Sequence, residues 1–112
     1  MCLFCKIIAR EIPGTIVYED DDVLAFEDIR PVAPTHTLVI PKRHIASIDE
    51  AKPEDAELLG KVLLAASKVA KQAGIQEGGW RLVINNGANA GQTVFHIHAH
   101  VLGGRGMQWP PG

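Results

Sequence analysis

The stretch Val94-Phe95-His96-Ile97-His98-Ala99-His100-Val101-Leu102 holds three of the chain's five histidines, at every second position. A strand sends successive side chains to opposite faces. The alternation therefore predicts a strand over 94–102. His96, His98 and His100 would share one face, and Phe95, Ile97, Ala99 and Val101 the other. The second face requires a core to cover it. The first is a row of imidazoles about 7 Å apart, at roughly 3.3 Å rise per residue. A solvated, histidine-rich face is the plain alternative, but three titratable rings in five residues is an unusual way to meet water. The outer two rings are about 13 Å apart by strand rise, so the three need not share one role.

Neutral imidazoles are good zinc ligands. An imidazole whose tautomer is fixed by a partner is also a nucleophile. The loop before the row is Asn85-Asn86-Gly87-Ala88-Asn89-Ala90-Gly91-Gln92-Thr93. Glycine and asparagine most often mean a turn. Beside a nucleophile row, the same loop reads as a backbone seat for phosphate. No Gly-Lys-Ser or Gly-Lys-Thr follows, so it is not a P-loop.

Elsewhere the pattern is that of a small mixed domain. Leu3 to Arg10 reads as a short helix, with Phe4, Ile7 and Ile8 at helical spacing, ended by Ile12-Pro13-Gly14. Thr15–Glu19 and Val23–Asp28 read as a hairpin around the solvated turn Asp20-Asp21-Asp22. Thr35–Ile40 is a strand in which His36, Leu38 and Ile40 share a face, and Pro41 stops it. A long helix starts at Pro53 and stops at Gly74. Its apolar stripe is Leu58, Leu59, Val62, Leu63, Ala66, Val69, Ala70 and Ala73, which should pack on the apolar back of the histidine row. Trp80–Asn85 is a further strand. Strands in runs, not alternating with helices, predict an α+β fold: an antiparallel sheet with helices on one side.

The 112 residues make one domain, 1–112. A formal net charge of −2 gives no surface for nucleic acid or an anionic membrane. No apolar run is long enough to span a bilayer and no leader pattern is present, so the expected location is cytoplasmic. Two cysteines, Cys2 and Cys5, are too few for a disulfide framework, and Cys-x-x-Cys in such a chain points to metal or redox chemistry.

The row with its flanks, Gly91-Gln92-Thr93 and Gly103-Gly104-Arg105, resembles the signature of the histidine-triad family. The ending Gly103–Gly112, with Ile12-Pro13, Phe26-Glu27-Asp28-Ile29, Ala33-Pro34-Thr35-His36 and Val39–His44, is similar to its nucleotide-binding (Hint) branch. The resemblance covers nearly the whole chain. It implies a five-stranded antiparallel sheet with two helices, paired into a two-fold homodimer. It also implies hydrolysis of the P–N bond of purine nucleoside phosphoramidates. By this resemblance His98 is the nucleophile and His100 holds phosphate oxygens, with His36 supporting from the neighbouring strand. Asn85, Gly91, Gln92 and Thr93 would hold the phosphate and leaving group, and Asp28 the ribose hydroxyls. Phe4, Ile12, Phe26 and Ile29 would form the base pocket, although each singly fits plain core packing as well. Trp109, in the proline-locked tail, would border the partner's site.

Some relatives carry a zinc set that here would be Cys2, Cys5, His44 and His96, four ligands as a closed structural site requires. A thioredoxin-like redox pair and an inert pair of small helix residues are the alternatives. Two other functions stay open: a dinucleoside polyphosphate hydrolase of the same fold, and a zinc-containing nucleotide-binding module without catalysis.

Overall fold

The computed structural model describes residues 2–112. The hairpin forms as β1 (Ile16–Glu19) and β2 (Val23–Glu27). Its turn is closed by the Asp20 carboxylate, which accepts the Asp22 and Val23 N–H groups at 2.8 Å each. This is the local side-chain bonding that favours aspartate in turns. β3 (Thr35–Pro41) pairs with β2 on one side and with β5 (Ala99–Gly103) on the other. β4 (Trp80–Val83) pairs with β5 and forms the edge. The order is β1-β2-β3-β5-β4, antiparallel throughout. This is the predicted five-stranded sheet with two helices.

The long helix begins with a tight turn at Pro53–Asp55 and continues as α2 (Ala56–Gln72). Asp55 accepts the Lys52 N–H at 2.8 Å and pairs with Arg43, fixing where the helix starts. Val62, Ala65, Ala66, Val69 and Ala70 are buried, packed in one cluster with Val23, Ala25, Val39, Ala99 and Val101. The three alanines let the helix axis approach the sheet closely. The stripe is narrower than the sequence indicated: Leu63 is 48% exposed and Ala73 is exposed, whereas Ala65 is buried.

The short helix α1 (Leu3–Ile8) packs on the other face of the sheet. Its Phe4 and Ile7 join Leu24, Phe26, Leu38 and Ile40 in a second cluster. The two helices therefore lie on opposite faces, and the expectation that both sit on one side is corrected. Along β2 and β3 nearly every residue is buried because both faces are covered. Helix periodicity cannot report which face of a sheet a helix meets.

The histidine stretch also departs from expectation. The strand was predicted over 94–102, but the ladder begins only at Ala99, opposite Val39. Continued, the register would set Ile40 opposite His98 and Pro41 opposite Ile97, and Pro41 has no N–H to give to the ladder. The Ile97 N–H bonds instead to the Ile45 carbonyl at 2.8 Å. Phe95, assigned to the core face, is 51% exposed, while Ile97, Ala99 and Val101 are buried.

Candidate active site

His100 sits on β5 between Leu38 of β3 and Val83 of β4, on the sheet face that α2 leaves open. His36, on the same face of β3, lies beside it. The hydrogen bonds around these rings fix their protons. The Val32 N–H donates to His36 Nδ1 at 3.1 Å. That nitrogen is thus an acceptor, and a neutral His36 carries its proton on Nε2. His36 Nε2 lies 2.9 Å from His100 Nδ1 and 3.3 Å from Asp28 Oδ2. It donates to His100, so His100 keeps its own proton on Nε2. His98 Nδ1 lies 2.8 Å from the His96 carbonyl oxygen, which can only accept. His98 therefore holds its proton on Nδ1 and presents a free lone pair at Nε2.

Burial holds the His98 ring below the ordinary histidine value, against the pull of the His96 carbonyl. Burial and the neighbouring His98 and His36 rings push His100 further, to about 4. Both are neutral at pH 7. The His98 and His100 ring centres are 5.0 Å apart.

Both rings open on a cleft of about 800 Å³. Phe4, Ile12, Phe26 and Ile29 line it, with Asp28 and Thr93. Phe4 meets Phe26 and His98 edge-on, at 5.3 and 5.1 Å between ring centres. Ile29 is 92% exposed at the mouth, where an apolar side chain gains nothing from water and suits a planar ligand. Leu3, Ile7 and Arg30 also line the cleft and were not anticipated. The helical spacing of Leu3 and Ile7 with Phe4 carried a signal for the first two.

Other predicted residues lie elsewhere. Gln92 is buried, its carbonyl accepting the Gly87 N–H at 2.8 Å and its amide donating to the Ala46 and Val94 carbonyls. Its side chain pins the loop and does not face the cleft. Gly91 adopts φ 95°, a conformation that favours glycine, beside Asn85. Asn85 lines a neighbouring cavity that also reaches His100. Trp109 is 82% exposed on the tail, outside the cleft.

A second cluster lies behind the first. Cys2 Sγ is 3.5 Å from His44 Nδ1 and 3.4 Å from His96 Nδ1, and Cys5 Sγ is 3.5 and 3.6 Å from the same atoms. The two Nδ1 atoms are 3.1 Å apart. Tetrahedral zinc with bonds of about 2.0–2.3 Å puts its ligand atoms roughly 3.3–3.8 Å apart. The four donors therefore fit that ion with small adjustment. His96 Nε2 donates to the Pro41 carbonyl at 2.8 Å, which leaves its Nδ1 lone pair for the metal. When bound, zinc would supply a structural tie, since all four positions are taken by protein. Asp28, His36 and His100 also converge. There His36 Nε2 lies within reach of both His100 Nδ1 and Asp28 Oδ2, and its proton ties the three into a hydrogen-bonded network.

His98, buried, and His100, partly buried, stand tautomer-fixed at the end of an apolar cleft on this sheet, an arrangement suited to nucleophilic chemistry. Residues 9–107 match the HIT domain family, and the chain belongs to it. It is 58% identical over 110 residues to an uncharacterized HIT-like protein of Synechocystis sp., covering 98% of this chain and 96% of that one. It is 53% identical over 112 residues to a 14 kDa zinc-binding protein of Zea mays, covering 98% and 87%. The crystal structure of a HIT family hydrolase from Legionella pneumophila Philadelphia 1 matches with a TM-score of 0.97 and 56% identity, each chain covered in full.

Proposed function

We propose that this chain hydrolyses the P–N bond of purine nucleoside phosphoramidates through a nucleotidyl group carried on His98. The observation that carries the reading is the His98 tautomer: Nδ1–H is committed to the His96 carbonyl, so the Nε2 lone pair faces the cleft. The purine lies among Phe4, Ile12, Phe26 and Ile29, and Asp28 accepts the ribose hydroxyls. Thr93 and the backbone at Gly91 hold the phosphate, and His100 donates Nε2–H to a phosphate oxygen.

His98 Nε2 attacks phosphorus, an N–P bond forms and the P–N bond to the leaving amine breaks. The amine leaves with a proton from solvent. The ring, now bonded at both nitrogens, is cationic, and the His96 carbonyl stabilises it. Water then attacks phosphorus, frees the ring, releases the nucleoside monophosphate and returns a proton to solvent. The zinc set ties α1 to the segments bearing His44 and His96, and a second copy of the chain completes a homodimer with Trp109 at the partner's site. The test is hydrolysis of adenosine tryptamine phosphoramidate, against diadenosine tetraphosphate, with rapid quench to trap adenylate on His98. Turnover of the tetraphosphate alone would favour the polyphosphate hydrolase, and nucleotide binding without turnover the binding module.

A further inference from the structure

Beside the nucleotide cleft, and sharing His100 with it, lies a second cavity of about 540 Å³, bounded by Arg81, Asn85, Arg105, His36 and the tail. The sheet register explains Arg81. Val83 lies opposite His100 in the β4–β5 ladder, and Arg81 is two residues away on the same strand. It therefore shares the His100 face, a diagonal neighbour within reach of a long side chain. Arg105 reaches in from beyond β5. One Arg81 nitrogen donates to the Gln108 carbonyl at 2.9 Å, and Arg105 donates to the Val32 and Gly106 carbonyls at 3.0 and 3.1 Å.

These bonds hold both guanidinium groups in place while other N–H donors on each stay free, since a guanidinium has five. Neither arginine has a carboxylate within 4.0 Å among the described residues, and no acid lines the cavity. Two fixed, uncompensated positive groups beside a catalytic ring make a site for an anion. His98 borders the cleft but not this cavity, and His100 borders both. Of the two spaces that meet at His100, the one that His98 does not border is free to take the group that departs from phosphorus.

We propose that the Arg81–Arg105 cavity seats the leaving group and selects one bearing a negative charge, a carboxylate or a phosphate. This rests on the phosphoramidase reading. The bond changes are those already given: His98 Nε2–P forms, P–N breaks, and the amine takes a solvent proton; the arginines only bind its anionic substituent.

The experiment compares adenosine phosphoramidates of ethanolamine, glycine and phosphoethanolamine, which differ in the charge of the leaving amine. For the wild-type homodimer, kcat/KM for at least one charged amine should exceed that for ethanolamine by about tenfold, roughly 1.4 kcal/mol. Whichever charged amine ranks higher identifies the source of the anion. The ratio should fall towards one in Arg81→Gln and Arg105→Gln, survive in part in Arg81→Lys and Arg105→Lys, and shrink with added salt. A ratio near one in the wild type, or a ratio unmoved by both glutamine variants, overturns the proposal while leaving the phosphoramidase reading intact. If no phosphoramidate is turned over, that reading itself fails and the proposal with it.

Discussion

The His36 Nε2 atom lies 2.9 Å from His100 Nδ1, and only one of the two can supply the proton between them. The Val32 N–H, by occupying His36 Nδ1, decides that it is His36. Removing His36 leaves a half-buried acceptor on His100 without its donor. His36→Ala should cost about 1–3 kcal/mol of stability and lower kcat more than it raises KM. Denaturant unfolding and steady-state kinetics on the same preparation check both. Unchanged kcat would remove His36 from the site.

His98→Ala should abolish turnover while keeping the fold, with nucleotide affinity within about tenfold, roughly 1.4 kcal/mol. His100→Ala should slow turnover less, because it stabilises charge and forms no bond to phosphorus. Titration calorimetry with a nucleoside monophosphate, beside single-turnover rates, separates binding from chemistry. Near wild-type turnover by the His98 variant would defeat the covalent mechanism.

The acid limb of activity should lie below the ordinary histidine value of about 6.5. His98 is held down by burial, and His100 to about 4 by burial and its neighbours. Stability follows with a definite sign. Above about 6.5 His100 is neutral in both folded and unfolded chains. Between that pH and about 4, the unfolded chain binds a proton that the folded ring refuses. Stability is lost as pH falls through this window. A pH–rate profile and unfolding midpoints of wild type and His100→Gln test this, and the variant should lose less between pH 6.5 and 4. An acid limb at or above 6.5 contradicts it.

Metal removal should weaken nucleotide binding as well as stability. α1 has six residues, too few to hold a helix alone. It carries Cys2 and Cys5 towards His44 and His96, and Phe4 into the cleft wall. Chelated protein, or Cys2→Ser with Cys5→Ser, should unfold at lower denaturant and bind nucleoside monophosphate several-fold more weakly. Metal analysis of protein purified without chelator or metal resin should give one zinc per chain; far less would dismiss the site.

Leu63 and Leu64 on α2 are 48% and 68% exposed, and Trp109 on the tail is 82% exposed. Each leaves apolar surface that a second copy can cover. Sedimentation should show a dimer at micromolar concentration. Deleting residues 107–112 should change substrate preference with the fold kept. A monomer at that concentration rules the pairing out.

The elements were legible because their signals are local. Pro53 and Gly74 bracket the long helix, alternation marked β3, and Asp20 marked the hairpin turn. The cleft residues Phe4, Phe26 and Asp28 were legible through the resemblance, and Cys2 and Cys5 by spacing. What escaped depends on long-range contacts. That the ladder begins only at Ala99 needs the pairing of β3 with β5. That Gln92 turns inward needs the Ala46 carbonyl, 46 residues away. That α1 takes the face opposite α2 is a property of the sheet, which no single segment encodes.

The hydrogen bonds from Val32 through His36 to His100 run in one direction. A proton wire must be refilled at its far end, and this one ends in a backbone amide, which does not give up its proton near neutral pH. The backbone end of that chain can therefore neither supply a proton nor take one away, and Asp28, 3.3 Å from His36 Nε2, is its one side branch. On the proposed reaction, the protons that accompany turnover would cross the open mouth of the cleft, where solvent access would govern their exchange.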